Sequence, residues 1–195
     1  MQREVILTGI GGQGVQLAAK TLAMAATAEG RQVMMSSHYG GEMRGGQTEA
    51  SVVVADADLR AVPILENAWS AMVMHGRYWP GVAARLRDGG VVVVNTTVAH
   101  DVTSDEAPAG DRPAIVGVPA GDIATGIGAP MAAGFVLLGA YAAVTGVVGT
   151  DSLVESMKEL VPPYRTQHVA ANEAAIRAGA QAAPRSHPAW VEVPA

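Results

Sequence analysis

The chain has 195 residues, a length that allows one substantial hydrophobic core and is short for two, so we expect a single α/β domain. It contains no cysteine, which excludes disulfides, a cysteine nucleophile and any cysteine-ligated iron–sulfur cluster on this chain. The formal net charge is −5 and no stripe of basic residues is present, which argues against nucleic acid as the main partner.

The first predicted element is a strand that ends in a cluster of glycines. The cluster, called here loop 9–14, contains Gly9, Gly11, Gly12, Gln13 and Gly14. Its glycines fit the pattern G-x-G-x-x-G, in which a side chain would obstruct the turn, an approaching ligand or partner, or the packing of helix on strand. The free N–H groups of a following helix favour an anion. A strand, a tight turn and a helix in this order predict the start of a doubly wound α/β domain.

Loop 9–14 alone is weak evidence for a dinucleotide site, because the same glycines also serve a turn that binds nothing. An NAD(P) site would need an Asp or Glu about 20 residues further on, at the end of the second strand. That strand, about 32–36, leads into Ser37 and His38, and Glu42 comes several residues too late. We therefore favour a structural or partner-facing turn.

Small apolar residues predict that the first helix lies close to the sheet. They recur at helical spacing, at Val15, Ala18, Ala19, Leu22 and Ala26. Gly30 is placed to end this helix in the left-handed region.

A second glycine-rich loop, called here loop 36–47, precedes a third strand at about 48–55. It carries His38, Tyr39, Gly40, Glu42, Arg44, Gly45 and Gly46. Its polar groups can hydrogen-bond, stack or pair with an anion. Because four glycines raise the entropy cost of ordering the loop, we interpret it as functional or part of an interface. The alternative is an exposed tip with a weak Glu42–Arg44 pair.

The middle of the chain predicts two buried parallel strands, at 69–74 and 90–95, with a helical piece between them that ends near 86–90. Asn95, followed by two threonines, is a polar strand end of the kind that lines crevices in open α/β sheets. We interpret His75 as a polar filler, with an acid/base or ligand role as the alternative. Residues 99–113 predict an exposed acidic loop without a metal site.

The stretch 129–148 carries no charge and is long enough to cross a bilayer. Because it consists mainly of Ala and Gly and lacks flanking basic residues, we predict a buried helix rather than a membrane span. A strand at 114–119 precedes it. A helix capped by Thr150 or Asp151 and a last helix at about 165–182 follow. We expect Asn172 in the last helix to satisfy a backbone group, with a specific polar contact as the alternative.

Residues 184–195 contain three prolines and predict an extended C-terminal tail after a domain of residues 1–183. Trp190 and its apolar neighbours either fold back on the domain or dock on another chain, and we predict an interaction arm. The chain begins directly with a strand and shows no export signal, so we expect a cytoplasmic protein.

Several landmarks together resemble one family. They are Gly9-Ile10-Gly11-Gly12-Gln13-Gly14, Tyr39-Gly40-Gly41-Glu42-Met43-Arg44-Gly45-Gly46, Gly89-Gly90 before a strand ending at Asn95, Leu137-Leu138-Gly139, and Asn172 with Gly179. In combination they resemble the gamma subunit, or gamma domain, of the 2-oxoacid:ferredoxin oxidoreductases. That family acts on pyruvate, 2-oxoglutarate, branched-chain ketoacids or indolepyruvate. The fold that the resemblance implies is a single, mostly parallel, Rossmann-like sheet with helices on both faces.

The resemblance implies an EC 1.2.7 reaction, in which a 2-oxoacid and coenzyme A give an acyl-CoA and carbon dioxide while ferredoxin receives electrons. Thiamine diphosphate, magnesium and iron–sulfur clusters are expected on partner alpha, beta and ferredoxin-like delta subunits. This chain lacks the magnesium–diphosphate motif and any cysteine, so we expect no catalytic residue, metal or cofactor on it. The isolated chain could form a homodimer.

The candidate site consists of loop 9–14, loop 36–47 and Asn95, which we expect to contact coenzyme A or partner subunits. Within it, Arg44 is expected to make a charge-assisted contact to an acidic partner group or a coenzyme phosphate. The alternative function is a stand-alone Rossmann-type reductase that binds a nucleotide at loop 9–14. The missing acidic residue after the second strand favours the gamma subunit.

Overall fold

A six-stranded sheet forms the centre of the molecule in a computed structural model, which describes residues 1–39, 45–59, 65–102 and 112–191, with backbone alone at 38 and 39. The strands are β1 (Gln2–Ile10), β2 (Gln32–Tyr39), β3 (Gln47–Ala55), β4 (Ala68–Val73), β5 (Leu86–Asn95) and β6 (Ala114–Val118). Their order across the sheet is β2-β3-β1-β4-β5-β6.

Strands β1, β4, β5 and β6 are parallel neighbours, whereas β3 pairs antiparallel with both β1 and β2. In the β1–β3 pair, Leu7 lies opposite Ala50. The predicted α/β class with a mostly parallel sheet is confirmed. The antiparallel strand between β1 and β2 was not predicted.

The helices are α1 (Val15–Ala28), α2 (Trp79–Ala83), α3 (Ala120–Gly126), α4 (Ala133–Thr145), α5 (Thr150–Leu160) and α6 (Val169–Ala182). They cover the two faces of the sheet unequally. All except α2 contribute to a core on the face that carries Val5 and Leu7. The opposite face, which carries Ile6, is covered by the five residues of α2 and by side chains such as Leu65 and Val102. The predicted helices on both faces are therefore present, but one face has nearly all of them.

The predicted stripe on α1 is confirmed, because all five of its residues are buried. Three predicted boundaries were wrong, and tertiary contacts explain two of them. The helix between β4 and β5 ends at Ala83, because the Ala68 N–H donates to the Arg85 carbonyl and residues 86–90 join β5. Gly149, not Thr150 or Asp151, caps α5, and its N–H donates to a carboxylate oxygen of Glu29 at 2.7 Å. A 3₁₀ helix, Pro163–His168, precedes α6.

Helix α4 is buried along nearly its whole circumference, as predicted for the uncharged stretch. No helix within the described ranges is long and apolar enough to cross a membrane. Helices α4 and α6 approach each other at Gly139 and Gly179. A Cβ on Gly139 would overlap the Ile176 carbonyl, and one on Gly179 would overlap the Val136 carbonyl. The two helices can therefore pack this closely only with glycine at both positions.

Residues 184–191 lie against the domain beside the C-terminal end of α4. The Ala189 N–H donates to the Thr145 carbonyl at 2.7 Å, and the Trp190 Nε1–H donates to the Val147 carbonyl at 3.2 Å. The Arg31 guanidinium lies 3.9 Å from the centroid of the Trp190 ring. These contacts correspond to the alternative in which the tail folds back on its own domain. A role of the tail in assembly stays a prediction.

Candidate functional site

Loop 9–14 connects β1 to α1 and is held in one conformation by its own backbone and by Gln13. Gly12 and Gly14 have φ values of 103° and 80°, which side chains disfavour. The Gln13 Oε1 accepts from the Ile10 N–H at 2.8 Å, and its Nε2 donates to the Met74 carbonyl at 3.4 Å. An added Cβ on Gly9 would lie 2.7 Å from this Oε1. The loop is therefore a closed turn with an exposed backbone.

The two predicted glycine-rich loops meet in the structure. The Gly11 N–H donates to the Gly46 carbonyl at 2.9 Å, which connects loop 9–14 to the residues that precede β3. Gly45 has a φ of 82°. Gly40, Glu42 and Arg44 lie outside the described residues, as does the side chain of Tyr39, so their proposed contacts stay predictions.

Asn95 ends β5 and is 5% exposed. Its Oδ1 accepts from the N–H groups of Thr97 at 3.2 Å and Gly121 at 3.4 Å. The Thr97 hydroxyl oxygen accepts from the same Gly121 N–H at 3.1 Å. Asn95 therefore joins the end of β5 to the start of α3. It also lines a cavity of about 250 Å³ beside loop 9–14. Its predicted position at a crevice is confirmed, and its contact with a ligand or partner stays a prediction.

His75 follows β4 and caps a short 3₁₀ helix, Gly76–Tyr78. Its Nδ1 accepts from the Arg77 N–H at 3.2 Å. The described residues include no group of three His, Cys, Asp or Glu side chains that could hold a metal ion. The geometry of His75 is that of the predicted polar filler.

A groove of about 780 Å³ also adjoins loop 9–14 and lies between α1, the segment before α4, the end of α5 and the start of α6. We call it the cationic groove. Its apolar wall includes Leu17, Phe135, Leu160 and Val161, and its charged or polar lining includes Lys20, Arg165, His168 and Asn172. Its volume exceeds that of the cavity beside Asn95.

The basic side chains that line the cationic groove have no acidic counterpart among its described lining residues. Lys20 and Arg165 are exposed, and neither forms an ion pair with a carboxylate of the described ranges. Arg165 lies over the adjacent Tyr164 ring, 5.5 Å from its centroid.

Asn172 differs from its predicted role. We expected its amide to satisfy a backbone group, but it makes no hydrogen bond within the described part of the chain and lines the cationic groove half-buried. A polar amide without an internal partner can still bond to a ligand or another chain. The alternative, a specific polar contact, fits this position better.

Large apolar side chains are exposed around the same groove. Met131 is 89% exposed and Tyr164 is 74% exposed. Ile127, in the same segment as Met131, is also exposed. Sequence reasoning missed these residues, and it also missed Lys20 and Arg165, because they come from three separate segments without a shared local pattern. Asn172, a polar residue on an apolar stripe, gave a sequence signal, as did the residues of loop 9–14 that line the groove.

The strand order argues against a dinucleotide site at loop 9–14. In such sites the strand after the first helix lies beside the first strand, so that its acidic end reaches the ribose. Here β3 separates β2 from β1. With about 4.8 Å between neighbouring strands, the end of β2 lies about 10 Å from β1. This geometry disfavours the stand-alone reductase.

Comparisons with known proteins agree with this geometry. The family model described as "Pyruvate ferredoxin/flavodoxin oxidoreductase" matches residues 4–182. The 2-oxoglutarate synthase subunit KorC of Methanocaldococcus jannaschii is 29% identical over 164 residues, which are 83% of this chain and 85% of KorC. The pyruvate/ketoisovalerate oxidoreductases common subunit gamma of Thermococcus kodakarensis is 32% identical and is matched over 80% of this chain and 85% of its own length.

A solved structure gives the same result. The gamma subunit of a keto/oxoacid ferredoxin oxidoreductase from Geobacter sulfurreducens superposes with a TM-score of 0.77 at 26% identity. The match covers 93% of this chain and 96% of that subunit. The resemblance inferred from the landmarks is confirmed. The chain therefore belongs to the pyruvate ferredoxin/flavodoxin oxidoreductase family.

Proposed function

We propose that this chain is the gamma subunit of a 2-oxoacid:ferredoxin oxidoreductase complex in the cytoplasm. The observation that carries the proposal is the family match across residues 4–182, together with relatives that are themselves named as subunits. In the complex, a 2-oxoacid and coenzyme A give an acyl-CoA, carbon dioxide and a proton. The two electrons released reduce ferredoxin.

The chemistry belongs to the partner subunits in this proposal. Thiamine diphosphate with magnesium supplies carbanion stabilisation, and iron–sulfur clusters carry electrons. The donor groups of this chain do not fit either cofactor. The sequence has no cysteine for a cluster, and no cluster of three ligating side chains occurs in the described ranges. We therefore assign no chemical step to its residues.

The role that remains is to hold the alpha, beta and ferredoxin-like delta subunits in one assembly. The edge formed by loop 9–14, the end of β5 and the segment before α4 suits docking, because the backbone of the loop is fixed and apolar side chains such as Met131 are exposed beside it. Loop 36–47 adjoins the same edge through Gly46. We propose that these loops contact partner subunits or the coenzyme A that reacts there.

The identity of the 2-oxoacid is independent of this chain in the proposal. One relative is named for 2-oxoglutarate, and another is named as common to pyruvate and ketoisovalerate oxidoreductases. A subunit with a structural role can serve enzymes with different substrates, because the pocket for the 2-oxoacid lies with the thiamine cofactor on other chains.

The test is to purify the tagged chain from its native host and analyse what is bound. We expect stoichiometric partner subunits, thiamine diphosphate in the extract and visible absorbance from iron–sulfur clusters. The purified assembly should reduce ferredoxin with one of pyruvate, 2-oxoglutarate, 2-oxoisovalerate or indolepyruvate, and only with coenzyme A present. A colourless chain without subunits that binds NAD(H) at micromolar concentration would contradict the proposal.

A further inference from the structure

We propose that the cationic groove receives a segment of a partner subunit in which carboxylates flank an apolar anchor. The inference rests on the proposed function, because it takes the occupant to be another subunit of the same complex. It names a surface and the chemistry of its occupant, neither of which follows from membership of the family.

The charges are the first argument. The whole chain has a net charge of −5, and several of its other basic side chains are paired, as in Arg85 with Glu49 and Arg177 with Asp151. Lys20 and Arg165 are exceptions, since they face a groove whose described lining contains no carboxylate. Opposite charges across an interface accelerate association and select the partner. An acidic segment supplies the charge that the groove lacks.

The apolar wall is the second argument. Leu17, Leu160 and Val161 are half-buried, and Phe135 behind them is 7% exposed, so an apolar side chain entering the groove would remove this surface from water. Met131 also lines the groove and is 89% exposed, and its flexible thioether side chain can adapt to the shape of an occupant. A volume of about 780 Å³ leaves space for more than one side chain.

The unpaired polar groups are the third argument. The Asn172 amide can both donate to and accept from the backbone of an extended segment. The start of α1 has no side-chain cap and no acidic residue in its first turn. A partner carboxylate near Lys20 would also interact favourably with this helix terminus.

The described tail of this chain does not occupy the groove. Residues 186–190 bond to carbonyls at the C-terminal end of α4, whereas the groove adjoins the segment before its N-terminal end. A second copy of the chain is an alternative occupant and is separated from a partner subunit by the experiment below.

The first experiment measures incorporation of a charge-reversed chain. Wild-type chain and the Lys20→Glu/Arg165→Glu variant, with different tags, are produced together in the native host, and their ratio in the purified complex is determined. We expect at least tenfold less variant than wild type. The matched control is Arg77→Glu, because Arg77 is also exposed in a 3₁₀ helix and lies 5.7 Å from the centroid of its neighbouring Tyr78 ring. It should be incorporated equally.

Melting curves of the isolated variants separate docking from folding. Both groove residues are exposed, so their charge reversal should leave the melting temperature within about 2 °C of wild type. If the Glu variant fails to fold, Lys20→Gln/Arg165→Gln replaces it. Equal incorporation of a folded charge variant would overturn the proposal.

The second experiment identifies the occupant directly. A photoreactive amino acid replaces Met131 in the full chain, and the cross-linked peptide from the purified complex is sequenced by mass spectrometry. We expect a partner-subunit peptide with at least two carboxylates beside an apolar residue. A peptide from a second copy, a basic peptide or no cross-link would overturn the proposal.

The two proposals fail in different ways. If thiamine-containing subunits co-purify with the chain but the cross-link result is negative, only the groove proposal is wrong. If no such subunits co-purify, the proposed function itself is wrong.

Discussion

The two ends of helix α4 differ in how far the rest of the described chain covers them. At its C-terminal end, the carbonyls of Val144 and Thr145 accept N–H groups of the tail, and Trp190 packs nearby. Before its N-terminal end, Met131 is exposed and loop 9–14 is bordered by two open cavities. One end is therefore covered by the chain itself, and the other is open.

This difference agrees with the proposal that partner subunits dock at the open end. Helix carbonyls at a C-terminus need hydrogen-bond partners, and the tail supplies them within the same molecule. The exposed apolar side chains and unpaired cations before the N-terminus have no such cover among the described residues. A change at the covered end should lower stability, whereas a change at the open end should lower assembly. Four predictions test this division, in order of decreasing effect on stability.

The largest effect is expected between the two ends, where α6 crosses α4. In the Gly179→Ala variant the new methyl group would overlap the Val136 carbonyl, so the two helices must separate. We expect a loss of about 3 kcal/mol or more, equivalent to roughly 6–12 °C in melting temperature. Thermal denaturation followed by circular dichroism measures it.

Gly126→Ala is the matched control, because a Cβ on this glycine in α3 meets no atom within 4 Å. It should leave stability unchanged or raise it by up to about 1 kcal/mol. Equal melting temperatures for the two variants would show that the α4–α6 crossing tolerates separation.

The second effect concerns the covered end. Truncation after Ala183 removes the hydrogen bonds of residues 186–190 and the Trp190 contacts, so we expect a loss of about 2–4 kcal/mol. The truncated chain that remains folded should still join the complex in size-exclusion runs with the partner subunits. Val191→Ala, at a 53% exposed position, is the control and should change neither quantity.

The opposite outcome would support the interaction arm that we predicted from the sequence. If the truncated chain melts at the wild-type temperature but no longer assembles, the tail acts on a partner and the covered end of α4 is not held by it.

The third effect compares two glycines that both have a positive φ. Gly12 and Gly30 have φ values of 103° and 79°, and a Cβ on either meets no atom within 4 Å. Replacement of either by Ala should therefore cost about 1–2 kcal/mol of stability from backbone strain. Only Gly12→Ala, at the open edge, should also lower incorporation into the complex. Equal incorporation of both variants would remove loop 9–14 from the docking surface.

The smallest effect is at the ion pairs between α5 and α6, away from both ends of α4. Hydrogen bonds from Lys158, and next from Arg177, lower the pKa of Glu173 below its ordinary value. A lowered folded pKa stabilises the protein above the unfolded pKa of about 4.3, and this contribution disappears as the pH falls through the folded value. Glu173→Gln should therefore lower the melting temperature near neutral pH by at most about 2 °C.

At a pH low enough to protonate Glu173 in the folded state, the wild type and the Glu173→Gln variant should melt alike, because both then carry a neutral side chain. Glu159→Gln is the control, since Glu159 on α5 is exposed and has no ion pair within the described ranges. A difference between Glu173→Gln and wild type that persists at acidic pH would show that charge is not its cause.

Sequence patterns alone determined the elements whose signals are local. The strand that ends in glycines identified β1 and loop 9–14. The Ala-rich stripe at helical spacing identified α1, and the uncharged stretch, which has too few large residues for a membrane span, identified α4. Each depends on side-chain periodicity or on backbone constraints within a few residues. The landmark glycines also identified the family, and the structure explains Gly139 and Gly179 by direct contact between helix backbones.

Only the tertiary structure decided the strand order, the unequal cover of the sheet and the cationic groove. Strand β3 pairs with β1, which is distant along the chain, and therefore lies between β1 and β2. No local sequence pattern encodes that choice of pairing partner. Gly149, which caps α5, donates its N–H to Glu29 at the end of α1, and the groove combines Lys20 with Arg165 and Asn172 from the far end of the chain. An unpaired basic side chain can be recognised only from the folded structure, because packing decides which side chains lie near a carboxylate.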